Sequence, residues 1–262
     1  ANQSGGPDAI KALIRAGALV DAKDAAGKTP LFLANHDNCA LAVLLLLQAG
    51  AEPIPFSLDM VMQLLAFPDG PDVVAALLES GWDDPVASCP GTGSPLHRAA
   101  YHGLKTTIPI LLSSGANPNG LCEGGDCPLH YAVEPPHTAH AQEIIRTLVQ
   151  AGANADAAGA GGATPLHRAA SHGLAPAVRT LLEMGANPSS RDENGQTPLH
   201  CVLQSPTPEA AEITTVLLDG GSDMTAADHN KETPLFRGLS VCSPSAVRIM
   251  LDRGADVSVL LS

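Results

Sequence analysis

The chain has 262 residues, 45% of them hydrophobic but only 3% aromatic, and 14 Lys and Arg stand against 27 Asp and Glu for a net charge of −13. Nucleic acid and anionic membrane are held through basic patches, so both are poor partners for such a surface, and a basic or mixed-charge protein face fits it better. The core must be built from Leu, Ala, Val and Ile, and the longest apolar run, Leu41 to Leu47, is far too short to cross a bilayer.

Six cysteines, Cys39, Cys89, Cys122, Cys127, Cys201 and Cys242, lie scattered without a disulfide spacing. That usage reads as a reducing, intracellular setting, cytoplasmic or nuclear.

In chain order, a short helix from about Asp8 to Arg15 ends at Gly17, and Thr29-Pro30-Leu31-Phe32 then opens a new helix. Near copies of this tetrapeptide begin at Ser94, Cys127, Thr164, Thr197 and Thr233, with separations of 65, 33, 37, 33 and 36 residues along the six. Each is followed by a second helix closing on Leu-Leu-x-x-Gly or a variant, at Gly50, Gly115, Gly152, Gly185, Gly221 and Gly254. A period in this range marks a stack of small units, none of which buries its apolar face alone. The first gap is close to two periods, and 57–65 with 72–79 read as the helices of a degenerate repeat. A drifted repeat that still packs and one reshaped by a partner are both open for it.

Every signature residue has a local job. Thr caps the helix by accepting from an orphan backbone amide. Pro sits at the first helical position, where its missing N–H is harmless. Leu166 starts the buried stripe, Ala169 and Ala170 keep it thin, and Gly185 ends helix two in the left-handed conformation. Extra residues fall between the two helices at 134–140 and 204–209, both rich in proline, and should lengthen those turns without disturbing the stack.

These features resemble the ankyrin repeat family. Asp192-Glu193-Asn194-Gly195-Gln196-Thr197-Pro198-Leu199-His200 matches the family's turn and helix start, and Leu96 to Gly103 and Leu166 to Gly173 add its Ala-Ala-x-x-Gly. The resemblance implies an all-α solenoid of stacked helix-turn-helix units with projecting β-turn loops. It would comprise an N-terminal half repeat, about 1–23, and repeats at about 24–56, 57–88, 89–121, 122–158, 159–191, 192–227 and 228–262. It also implies that His97, His130, His167 and His200 tie turn to helix, and that the first helices line a concave face.

Family partners contact the turn tips and the exposed ends of first helices. Carried onto this sequence, the candidates at helix ends are His36, Tyr101, His102, Glu134, Ser171, His172 and Gln204. At or beside the turns they are Arg191, Glu193, Asn194, His229 and Asn230. Tyr101 is read as the aromatic anchor of this groove. Cys122, Cys127 and His130 mimic a zinc spacing, but the repeat already explains two of them and no fourth ligand follows, so no metal and no cofactor are expected. Hydrolase, phosphate-loop, dinucleotide and metalloprotease motifs are absent from the sequence. The reading is therefore a non-catalytic protein-protein interaction module, a monomeric array. Its alternative is a regulatory or scaffold segment of a larger multidomain enzyme, channel or adaptor that contacts mainly its own chain. Ile10, Leu13 and Ile14 at one end and the apolar 256–262 at the other are expected to lie against neighbouring parts of a longer chain.

Overall fold

The computed structural model describes residues 6–37, 39–52, 72–73, 75–76, 93–135, 138–204, 207–240 and 244–257. Most of the expected degenerate repeat, His137, Ser205 and the last five residues lie outside the described residues. Among the described residues there are thirteen α-helices and no β-strand. The chain divides into one unit of Ala1–Cys89 with Pro109–Ala116 and a second of Pro90–Ile108 with Asn117–Ser262.

Unit one holds α1 (Gly6–Arg15), α2 (Pro30–His36) and α3 (Ala40–Gln48). Helix α3, sequence ALAVLLLLQ, is apolar all round and buries Ala40, Ala42, Val43, Leu44, Leu46 and Leu47, as such a helix must. It packs on both α1 and α2. The Thr29 hydroxyl accepts from Phe32 N at 3.2 Å and caps α2. Leu13 and Leu19 are exposed and line an apolar groove with Ile10, Ile14 and Leu33. Helix α5 (Thr107–Ser113) is divided between the two units.

Unit two contains α4 (Pro95–Tyr101), α6 (Pro128–Ala132), α7 (Ala141–Gln150), α8 (Pro165–Ser171) and α9 (Ala175–Glu183). It continues with α10 (Pro198–Gln204), α11 (Ala210–Asp219), α12 (Pro234–Ser240) and α13 (Pro244–Asp252). The Thr-Pro-Leu-His helices α4, α6, α8, α10 and α12 pack side by side in one layer, and α7, α9, α11 and α13 form the other. Leu96, Leu129, Leu166 and Leu199 are fully buried, as are Leu148, Leu181, Leu217 and Met250 of the second layer. At the end of α9, Gly185 takes φ 92° and Ala186 N returns to Leu181 O at 2.9 Å, satisfying an otherwise orphan carbonyl. The two insertions leave the pairs α6–α7 and α10–α11 in contact.

Three ladders bind neighbouring repeats in unit two. In the first, the signature imidazoles work at both ends. Nδ1 accepts from the backbone N of the cap residue at Ser94, Cys127, Thr164 and Thr197. Nε2 faces the carbonyl just ahead of the next signature, at Asp126, Ala163, Gln196 and Glu232. A carbonyl only accepts, so Nε2 carries the proton and the ring is neutral. In His-bearing copies the ring thus completes a capping box. The second ladder runs along the loops after helix two. Asn119 Oδ1 accepts from Asn154 N, Asp156 Oδ1 from Asn187 N and Ser189 Oγ from Asp223 N. The third joins exposed charges of the second layer: Arg146 with Glu183, Arg179 with Glu212 and Arg253 with Asp219.

Candidate functional site

The ends of the first helices and the adjoining turns form one face of unit two. Arg98, Tyr131 and Arg168 follow three of the signature histidines, Cys201 follows the fourth, and Arg237 takes the equivalent place in the final copy. Arg168 lies between two carboxylates, 2.6 Å from Asp126 and 2.8 Å from Glu134, all three groups largely shielded. Burial alone would push the Asp126 carboxyl up, but the Ala160 amide and the Arg168 guanidinium together hold it below its usual range. Asp126 also supplies a missing part. The turns at Asp24, Asp192 and Asp228 are closed by their own aspartates, each accepting two backbone amides. The turn at Gly159 has none, and Asp126 of the preceding turn accepts from Ala160 N instead, at 2.9 Å. A Cβ at Gly159 would collide with that carboxylate, so glycine is required there.

Among the residues expected to meet a partner, Tyr101 is partly buried and packs edge-on against His102, ring centroids 5.1 Å apart. Glu134 is held by Arg168. His172 donates Nδ1–H to the Val133 carbonyl at 3.1 Å, and its Nε2 lies 3.9 Å from Glu134. Ser171 Oγ returns to Arg168 O, and Gln204 ends α10 half-buried. Arg191 is exposed yet occupied, donating to Gly195 O at 3.2 Å and to Ala227 O of the next turn at 2.7 Å. The exposed turn residues are joined by backbone bonds, Glu193 N to Gly161 O and His229 N to Asn194 O, while Asn230 N donates to Asp228. His36 belongs to unit one, exposed and 3.1 Å from Asp37.

Sequence reasoning overlooked Tyr131, a second tyrosine beside Tyr101. Its ring lies 6.4 Å from Tyr101 and 5.3 Å from His97, edge to face with both. Its hydroxyl donates to Cys122 Sγ at 3.5 Å, and burial pushes its pKa up to about 12. The available signal was its place, since three aligned copies carry Arg there.

Catalytic chemistry finds little support in the arrangement. Cys127 Sγ sits 3.2 Å from His130 Nδ1, a spacing seen in nucleophile-base pairs. However, burial raises the thiol pKa and lowers that of the imidazole. Cys127 is 0% exposed, so a substrate cannot reach it. Among the described residues no three His, Cys, Asp or Glu side chains gather as a metal ion would need. Nor is any described helix long and apolar enough to cross a membrane.

A family model described as ankyrin repeats, three copies long, matches residues 61–157, 96–192 and 166–260. Over 130 residues the chain is 34% identical to a protein of Arabidopsis thaliana titled "Putative E3 ubiquitin-protein ligase XBAT35". That match covers 49% of this chain and 21% of the relative, so the chain spans only a minor part of the protein it resembles. Ankyrin repeats are generally protein-interaction modules and are typically non-catalytic. With the family model covering most of its length and the signature helices stacked as described, this chain belongs to the ankyrin repeat family.

Proposed function

We propose that this chain is a non-catalytic module that binds a partner protein or peptide through the turns and first-helix ends of unit two. The observation that carries the reading is the pre-arrangement of that face. Arg168, Glu134, His172 and Arg191 are each fixed by contacts to a neighbouring repeat, so docking would order little and retain more of its contact energy. A stable complex of this kind would bury about 1,200–2,000 Å². We further take the array to be monomeric, intracellular and built of seven repeats after a half repeat, as the sequence spacing suggests. Four described cysteines are free, in keeping with a reducing setting. The acidic balance favours a basic partner, whose association would slow as salt rises.

The test is affinity capture with mass-spectrometric identification, comparing the parent with a Tyr101→Ala/His102→Ala/His172→Ala variant that circular dichroism shows to be folded. The expected result is a defined partner retained by the parent and lost by the variant. Equal recovery by both would overturn the assignment of this face.

A second reading is favoured by the match to 21% of a much longer protein. The chain would then act as a scaffold or regulatory segment of a larger multidomain protein, contacting mainly its own chain. Cross-linking of the full-length protein separates the two readings: links from this face to another domain of the same chain support the second.

A further inference from the structure

Aligning the repeats of unit two on one another exposes three replacements in one small area. The residue just ahead of a turn is Arg191 in one copy and Ala158 and Ala227 in others; ahead of Cys122 it is Leu121. The turn aspartate of Asp192 and Asp228 is Cys122 here. The arginine of Arg168 and Arg237 is Tyr131. Two of these replacements form a matched pair. In the last copy Arg237 lies 3.2 Å from Asp228, nine positions earlier. At the same separation Tyr131 reaches Cys122 at 3.5 Å, so an ion pair has become an uncharged contact. Repacking explains that pair, because the cysteine is buried and meets the Tyr131 hydroxyl. It does not explain Leu121, which is 60% exposed and the most exposed large hydrophobic residue described in unit two. Alanine would have filled the position, as it does in two sister copies.

Leu121 adjoins Cys122, which touches the tip of Tyr131, and Tyr131 packs against Tyr101. Leu121 is thus joined to the tyrosine pair through the buried Cys122. Next in the chain stands Glu123, exposed, whose carboxylate makes no hydrogen bond or ion pair among the described residues. By contrast Arg168 and Arg191 are already engaged within the chain.

We propose that Leu121, Tyr131 and Tyr101 seat a large aliphatic side chain of a partner segment, and that a Lys or Arg beside it pairs with Glu123. The proposal rests on the binding-module reading and narrows it to one place and one chemistry. Aliphatic-on-aromatic burial supplies the affinity, and the carboxylate selects the sign of the flanking charge.

The probe is a phage-displayed random peptide library panned on the purified chain, followed by anisotropy titration of the winning peptide. A consensus pairing a Leu, Ile or Met with an adjacent Lys or Arg is expected. Leu121→Ser, on an exposed position, should weaken that peptide by about tenfold with an unchanged melting temperature. Glu123→Gln should remove the preference for the basic residue. A Leu121→Ala/Cys122→Asp/Tyr131→Arg variant rebuilds the pattern of the last copy, Ala227, Asp228 and Arg237, so it should fold and lose the peptide. Failure to enrich any peptide, a consensus without the aliphatic-basic pair, or a peptide indifferent to Leu121→Ser would overturn the proposal. So would sedimentation showing that these side chains instead join two copies of the chain. If binding survives Leu121→Ser but is lost with the Tyr101/His102/His172 variant, the binding-module reading stands and this seat falls. Survival in both variants defeats both.

Discussion

The imidazole of His167 donates its Nε2 proton to the carbonyl of Gln196 at 3.0 Å, while its Nδ1 accepts from the amide of Thr164 at 3.1 Å. One buried ring thus caps its own helix and holds the turn of the following repeat. Replacing it with Phe, the residue this chain uses at Phe32 and Phe236, would leave the buried Thr164 amide unpaired and remove one of two donors to the Gln196 carbonyl, which keeps the Asp192 amide. The expected loss is about 1–3 kcal/mol, the cost of one stranded group. Urea denaturation of His167→Phe measures it, and a loss below about 0.5 kcal/mol would mean the ring is replaceable packing.

The same ladder makes stability depend on pH. Burial lowers the pKa of His97, His130, His167 and His200 below 6.5. The unfolded chain therefore binds these protons first, and the stabilisation is full above about pH 6.5 and lost progressively as pH falls through that value. Asp126 and Asp228 follow at lower pH. Burial raises both, but backbone amides and the partner arginines more than offset it, so each lies below 3.8. Their contribution fades only as pH falls below about that value. Melting temperature measured from pH 8 to pH 3 should decline in two stages, and His167→Phe should shrink the first stage alone.

Arg168 bridges Asp126 and Glu134 across two repeats. Arg168→Ala would strand two partly shielded carboxylates, at a cost of about 2–3 kcal/mol, between the values for exposed and fully buried pairs. Pairing it with Asp126→Asn in a double-mutant cycle should return a coupling above about 1 kcal/mol. Additive effects would show that the contact stabilises nothing.

The ion pairs of the second layer should behave differently. Arg179 and Glu212 are each about half exposed, so Arg179→Ala is expected to change stability by less than about 1 kcal/mol and to do so only at low salt. A larger loss that persists in high salt would reveal a packing role for the arginine stem.

The repeat, its helix pairs and its buried leucines were legible because Pro, Leu, Ala and Gly each serve a local need that recurs with the period. The role of His97 and its sisters was half legible. A capping box is local, whereas the bond from His97 to Asp126 depends on how two repeats abut. Candidate site residues were harder, since exposure alone marks neither engagement nor freedom. Arg191 looked like a turn-side contact and is committed to Ala227. Tyr131 stood beside a signature histidine and was absorbed into the framework by that neighbourhood. Asp126, standing in for the aspartate missing at Gly159, could not be found from either turn alone.

The histidine rungs also set how unit two would yield to force. Each rung links only adjacent repeats, and the last runs from His200 to Glu232. Tension applied at residue 257 would load that rung and the Arg253–Asp219 pair before any other. Rupture would then pass inward repeat by repeat, each step releasing one imidazole and a slack of roughly one period, rather than the whole unit failing at once.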